Sequence, residues 1–225
     1  NTFCVRPFSS LYIATDGSFK FCCADTHVEI PRKFNITNTN LLELWNSSYH
    51  QKIRYELLNN IVPKSCKAKC FHTKHKEEFM LVKPRRLLDE HNQRKLILGN
   101  LNQNTSKDFT PIMSLEPIIS IELSFSNKCN LKCRMCNPTD STSWNDWDQV
   151  EEFYIKEGNF IADNVHKLNL IKKPYLDKFE DNPNWWESFE KNLPNFRRVE
   201  FAGGEPLMDP QHYKILDMLE PYGKD

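Results

Sequence analysis

Apolar and polar residues change their period several times along this chain, and each change predicts an element. Ser10 to Thr15 (Ser-Leu-Tyr-Ile-Ala-Thr) reads as a short strand, Asp16-Gly17 as a hairpin turn and Ser18 to Cys22 as the return strand. An Asp-Gly pair between β-forming runs is a strong local hairpin signal. From Thr39 to Asn59, the residues Leu41, Leu42, Trp45, Ile53, Leu57 and Leu58 fall near helical spacing and predict one helix, which Pro63 ends. Between Lys74 and about Pro117 the composition turns polar, with charged and Asn-rich stretches, which predicts a linker. Ile118 to Phe125 is then an alternating, β-branched strand that runs toward a group of cysteines. Ser141 to Tyr154 reads as helix, Glu157 to Pro183 as an insertion, and Trp185 to Leu193 as a short aromatic helix. Arg197 to Ala202 is a second strand closed by Gly203-Gly204, and Gln211 to Leu219 is again helical. Strand, helix, strand, helix predicts a parallel α/β sheet with its ligand site at the C-terminal strand ends. The expected division is residues 1–80, a linker over 81–117, and residues 118–225.

With 225 residues, 39% of them hydrophobic, the chain can bury the cores of two small domains. Thirty Lys plus Arg balance thirty Asp plus Glu, so no global basic field marks nucleic acid as the default partner. No basic region leads into an apolar one at the N-terminus, and no run approaches the ~18 to 20 apolar residues that span a bilayer. These features predict a soluble, cytoplasmic protein without a membrane partner. The start at Asn1 and the end at Asp225, just after a helical pattern, lead to the expectation that the chain is cropped at both ends. Eight cysteines, with sequons at Asn35, Asn46 and Asn104, also raise a secreted, disulfide-bonded reading. Tight Cys spacings without a signal peptide fit metal or cluster ligation in a reducing compartment better.

The tightest spacing is Cys129-Asn-Leu-Lys-Cys133-Arg-Met-Cys136, a C-x3-C-x2-C pattern on a loop leaving a strand. Three thiolates this close, with no fourth Cys or His soon after, suit three irons of a cubane and leave the fourth iron open to a ligand. Zinc is the competing reading, but structural zinc closes with four ligands and the next His is the distant His166.

The spacing resembles that of the radical S-adenosylmethionine (SAM) superfamily, and the resemblance strengthens at Phe201-Ala-Gly203-Gly204-Glu205-Pro206-Leu207. In that family a GGEP-like motif after the second barrel strand binds the methionine amino group of SAM, largely through backbone groups. Glycines permit close backbone approach, and Glu205 supplies charge opposite an amine. Met135 stands where the family often has an aromatic residue packing near the adenine. The resemblance implies a catalytic 4Fe-4S cluster on Cys129, Cys133 and Cys136, with SAM on the open iron and against Gly203, Gly204, Glu205 and Pro206. It further implies one-electron cleavage of SAM to methionine and a 5'-deoxyadenosyl radical, which abstracts hydrogen from a substrate. The cofactor carries the chemistry and the protein positions it. A one-electron reductase such as flavodoxin or ferredoxin is an implied partner.

Cys4, Gly17 and Cys22, followed by Leu41-Leu42-Glu43-Leu44-Trp45-Asn46, Ile53-Arg54 and Cys66-x3-Cys70, resemble the SPASM and twitch auxiliary-cluster domains. That resemblance implies a second 4Fe-4S cluster on Cys4, Cys22, Cys66 and Cys70. Cys23 is the spare, because neighbours on a strand point to opposite faces, although a twisted strand end would reverse the choice. Zinc competes here too, since His72 and His75 follow Cys70; both also read as solvated residues of a Lys-rich turn. The whole order resembles twitch-domain-containing radical SAM proteins of bacteria and their phages.

The implied fold is α/β: an incomplete (βα) barrel of the radical SAM type, about its first two strand-helix units, preceded by a small cluster-binding domain. By analogy with the ~250 residues of an eight-unit barrel, a full barrel needs more chain than follows Pro117. The expected activity is hydrogen abstraction from a peptide or protein, with small molecules such as sugars as the other substrate class. The alternative is a non-catalytic zinc or iron-sulfur protein, acting as a structural staple or electron relay. Trp144, Trp147, Trp185 and Trp186 read as packing aromatics, and Ser141, Thr142 and Ser143 as caps of the following helix.

Overall fold

The computed structural model describes residue 4 and residues 6–22, 35–67, 117–133, 136, 141–144 and 181–223. The predicted linker, most of the predicted insertion, and Cys23, Cys70, His72, His75, Met135, Trp147 and His166 lie outside the described residues.

Four strands form one mixed sheet in the order β2-β1-β3-β4: β1 (Ser10–Ile13), β2 (Phe19–Lys20), β3 (Ser120–Leu123) and β4 (Arg198–Phe201). The Asp-Gly hairpin forms as expected. Gly17 takes φ 73°, and the Asp16 carboxylate accepts from the Ser18 amide at 3.0 Å and from its hydroxyl at 2.6 Å. β1 then pairs in parallel with β3, Ser10 opposite Ser120 and Ile13 opposite Leu123, and β3 pairs in parallel with β4. The N-terminal hairpin therefore extends the sheet to which the later strands belong. Each strand is shorter than its alternating run, because Ala14 already enters the turn and Ser124 and Ala202 lead into loops.

Helix α1 (Arg6–Ser9) is a single turn that the hydrophobic pattern does not announce. The helix predicted over 39–59 is in fact two: α2 (Leu41–Trp45) and α3 (Ser48–Leu58). The physical cause is the Asn46-Ser47 step. Asn46 closes α2, and the Ser47 side chain accepts from the His50 amide, starting a new helix. Asn40 and Glu43 form a reciprocal capping box at the start of α2. After α4 (Lys64–Lys67) come α5 (Pro183–Asn192) and α6 (Pro210–Leu219), each with proline in its first turn and an Asn or Asp cap. Of the helix predicted over 141–154, residues 145–154 lie outside the described residues, and Thr142–Trp144 form a 3-10 turn.

One core joins these pieces. Leu11, Ile13 and Phe19 of the hairpin, Leu41 and Leu44 of α2, Ile121 and Leu123 of β3, Trp185 and Phe189 of α5 and Ile215 of α6 form a single buried cluster. Trp185 and Phe189, one helical turn apart, share a face with ring centroids 6.0 Å apart. Truncating either to alanine costs about 3 to 5 kcal/mol. Polar ties reinforce the packing. The Leu41 amide donates to Ser188 Oγ at 2.8 Å, Asn182 Nδ2 donates to the Ile36 carbonyl at 2.7 Å, and Asn192 Nδ2 donates to the Ile118 carbonyl at 2.9 Å. Among the described residues, no helix is long and apolar enough to cross a membrane.

Candidate cluster and cofactor sites

The parallel register brings the C-terminal ends of β3 and β4 side by side, and both sequence motifs leave the sheet there. The ladder continues past the strands. The Ala202 amide donates to the Leu123 carbonyl at 2.8 Å, Gly204 to Ser126 at 3.0 Å and Glu205 to Lys128 at 2.8 Å. The Gly203-Gly204-Glu205 backbone is thus zipped onto the residues that lead into Cys129. The glycines are what permit it. A Cβ on Gly203, whose φ is 103°, would stand 2.5 Å from the Ser126 carbonyl oxygen, and one on Gly204 would stand 2.4 Å from that of Lys128. Their lack of side chains is therefore used first for approach to the cysteine loop itself. The Glu205 carboxylate accepts from the Leu207 amide at 3.1 Å, capping the 3-10 turn Pro206–Met208.

The cysteine loop is held by Ser141, Thr142 and Ser143, which the sequence suggests as helix caps, and by Trp144, which it suggests as a packing aromatic. Thr142 Oγ1 accepts from the Cys129 amide at 3.1 Å and donates to the Cys129 carbonyl at 3.0 Å, and Ser143 Oγ donates to that same carbonyl at 2.8 Å. Ser141 Oγ donates to the Leu131 carbonyl at 2.8 Å, and Trp144 Nε1 donates to the Cys133 carbonyl at 3.2 Å. The only sequence-level signal was the run of hydroxyls directly behind the loop. Cys133 is exposed and Cys129 and Cys136 are half-buried, and the Leu131 amide donates to Cys129 Sγ at 3.3 Å. Accessible soft sulfur donors, one of them already receiving an amide hydrogen bond, fit an iron-sulfur cluster. At the ends of β3 and β4 is a shallow recess, with enclosed room of only about 10 Å³, lined by Phe125, Ser126, Ala202, Glu205, Asp209 and His212. His212 packs its ring against Phe201 at 4.2 Å and leaves Nδ1 buried without a partner; nothing in the sequence pattern marked it.

Cys4, Cys22 and Cys66 gather at the opposite end of the strands. Cys4 precedes α1 and β1, and antiparallel β2 returns Cys22 to the end where β1 begins. Phe8, Phe21, Ile53, Leu57 and Cys66 form a small buried cluster, and both Cys4 and Cys22 pack against it. Three of the four expected ligands thus converge on one apolar patch, with Cys70 outside the described residues. Residues 4–71 match the SPASM family, an iron-sulfur cluster-binding domain. The match spans all five N-terminal cysteines, and SPASM domains are typical of radical SAM proteins. No curated protein and no solved structure matches the chain.

Among the described residues no three His, Cys, Asp or Glu side chains are close enough to share a single metal ion. The ligands of a cubane each take a different iron and stand further apart, so the donor set around the SPASM-like patch fits a cluster by its sulfur chemistry and convergence.

Two basic side chains are buried beside the SPASM-like patch. His50 is fully enclosed between Phe19, at 5.9 Å in a stacked arrangement, and the edge of Trp45 at 4.9 Å. Burial, with the neighbouring Arg54 charge second, holds its pKa well below the usual histidine value, against an opposing pull from the Leu44 and Pro7 backbones. Arg54 lies with its guanidinium 4.1 Å over the Trp45 ring, and its Nε donates to the Pro7 carbonyl at 2.7 Å.

Proposed function

We propose that this chain carries the SAM-binding start of a radical SAM enzyme together with its auxiliary iron-sulfur domain. The carrying observation is the zipper between Gly203-Gly204-Glu205 and residues 126–128, which joins a glycine-rich turn to the root of a three-cysteine loop. The close approach brings the turn and the cysteine loop to one end of the sheet, which supports a site that seats one ligand against both a cluster and a backbone edge.

In this reading Cys129, Cys133 and Cys136 would hold a 4Fe-4S cluster, and Gly203, Gly204, Glu205 and Pro206 would bind the methionine part of SAM, with Met135 the proposed adenine contact. A cluster held there would supply the one-electron chemistry for reductive cleavage of SAM and, through it, hydrogen abstraction from a substrate. The chain's own work is positional. Thr142, Ser143 and Trp144 fix the loop backbone, the glycines bring the SAM edge against it, and Cys4, Cys22, Cys66 and Cys70 hold the auxiliary cluster. The fold proposed is the opening of a (βα) barrel, with β3 and β4 as its first two parallel strands. A peptide or protein is the proposed substrate class, since auxiliary-cluster domains accompany peptide modification in the families the sequence resembles. A one-electron reductase is the proposed partner.

The test is product formation by the longest natural form of the protein, reconstituted anaerobically and reduced with dithionite in the presence of SAM. The reading predicts SAM-dependent 5'-deoxyadenosine that disappears in a Cys129→Ala, Cys133→Ala, Cys136→Ala variant. Equal product from both proteins, or none from either, would overturn it.

A further inference from the structure

We propose that the Arg54 guanidinium is the countercharge of the auxiliary iron-sulfur cluster and sets how readily that cluster accepts an electron. The inference rests on the iron-sulfur assignment of residues 4–71 and is independent of SAM chemistry.

Arg54 is 2% exposed, an unusual state for an arginine on a helix. Its Nε is satisfied by the Pro7 carbonyl and its face by Trp45, yet Nη2 is buried with no hydrogen-bond partner. Burial pushes its pKa down to about 9, and no neighbouring carboxylate opposes that shift. At neutral pH the group is still a cation. An isolated buried charge is strongly unfavourable and persists only where something compensates it. The polypeptide supplies a hydrogen bond and an aromatic face here, and among the described residues it supplies no anion.

The surroundings indicate where the anion belongs. Arg54 follows Ile53 and precedes Leu57 on α3, and both of these belong to the small apolar cluster on which Cys4, Cys22 and Cys66 converge. The carbonyl that Arg54 holds is that of Pro7, in the turn leaving Cys4. A four-iron cluster on four thiolates carries net negative charge, and one added electron makes it more negative by one unit. A fixed cation at its edge therefore favours the reduced state, since net charge and local electrostatics set the potentials of such clusters. The electron is supplied by the external reductant and no proton need accompany it. Arg54 is a positioning and tuning residue rather than a cysteine-like ligand.

The experiment uses the Cys129→Ala, Cys133→Ala, Cys136→Ala background, in which only the auxiliary cluster remains. Arg54→Gln and Arg54→Lys are introduced separately, iron and sulfide are measured, and the cluster is titrated spectroelectrochemically with redox mediators. The proposal predicts that Arg54→Gln lowers the one-electron reduction constant tenfold or more, about 59 mV, while Arg54→Lys stays within about threefold of the parent. If Arg54→Gln does not retain iron, the prediction is that Arg54→Lys does. A fully loaded Arg54→Gln protein with the parent potential would overturn the proposal. So would an Arg54→Lys protein that falls as far as Arg54→Gln, in potential or in iron retention, because the requirement would then be for the shape of the guanidinium and not for its charge. Absence of iron from the background protein itself would remove the auxiliary cluster, and with it this proposal.

Discussion

Gly204→Ala is the sharpest single perturbation of the candidate SAM site. The added Cβ would stand 2.4 Å from the Lys128 carbonyl oxygen, 2.6 Å from the Asn127 carbonyl carbon and 2.7 Å from its oxygen. These are backbone atoms, so no rotamer change relieves the clash, and the two segments must separate by about 1 Å to reach ordinary contact. That shift stretches the Gly204 to Ser126 and Glu205 to Lys128 hydrogen bonds together. Overpacking of this kind costs about 1 to 3 kcal/mol. In a chain of this size each kcal/mol moves the midpoint by about 2 to 4 °C, so the expected fall in Tm is about 2 to 12 °C. Gly223→Ala is the control. Its Cβ would meet only the Glu220 carbonyl, at 3.5 Å, and the expected change is within about 0.5 kcal/mol. Calorimetry or fluorescence melting of the two variants beside the parent reads the difference. If Gly204→Ala melts together with Gly223→Ala, the zipper between the glycine turn and the cysteine loop is not formed as described.

Thr142→Val removes the hydroxyl that bridges the Cys129 amide and carbonyl, leaving the amide without its acceptor at about 1 to 3 kcal/mol while the carbonyl keeps Ser143 Oγ; it is expected to lose iron to a chelator faster than Thr142→Ser, which retains the bridge. Ser188→Ala leaves the buried Leu41 amide without its acceptor and is expected to lower unfolding free energy by about 1 to 3 kcal/mol, read by urea denaturation. His50, neutral in the folded state and protonated below about 6.5 when unfolded, contributes stability that is present above that pH and lost as pH falls below it. The slope is at most about 1.4 kcal/mol per pH unit for this one proton. His50→Phe should flatten the acid side of the stability profile by that one-proton slope, and an unchanged profile would contradict the buried neutral state.

The local parts of the fold were legible where the signal is local. Asp16-Gly17 announces the hairpin, and the caps at Asn182 and Asp209 agree with the helices read at Trp185 and Gln211. The break between α2 and α3 was hidden because Leu41 through Leu58 keep near-helical spacing across it, and only the Ser47 cap marks the new start. Parallel pairing of β1 with β3 joins strands on either side of residues 81–117, and no periodicity within either strand encodes a partner that distant. At the candidate site, the Cys and Gly motifs were readable by type and spacing. The belt of Ser141, Thr142, Ser143 and Trp144 was not, because hydroxyls ahead of a predicted helix read equally well as caps. Arg54 was visible as part of a motif, but its burial beside Trp45 depends on how α3 packs against α1, a tertiary property.

The most direct measurement of the central claim is iron, sulfide and zinc content after anaerobic reconstitution, for the parent and for the Cys129→Ala, Cys133→Ala, Cys136→Ala variant. Two four-iron clusters predict about eight irons per chain, with matching sulfide, falling to about four in the variant. About four irons falling to none with zinc retained would make the N-terminal segment a zinc module, and no iron in either protein would contradict the account as a whole.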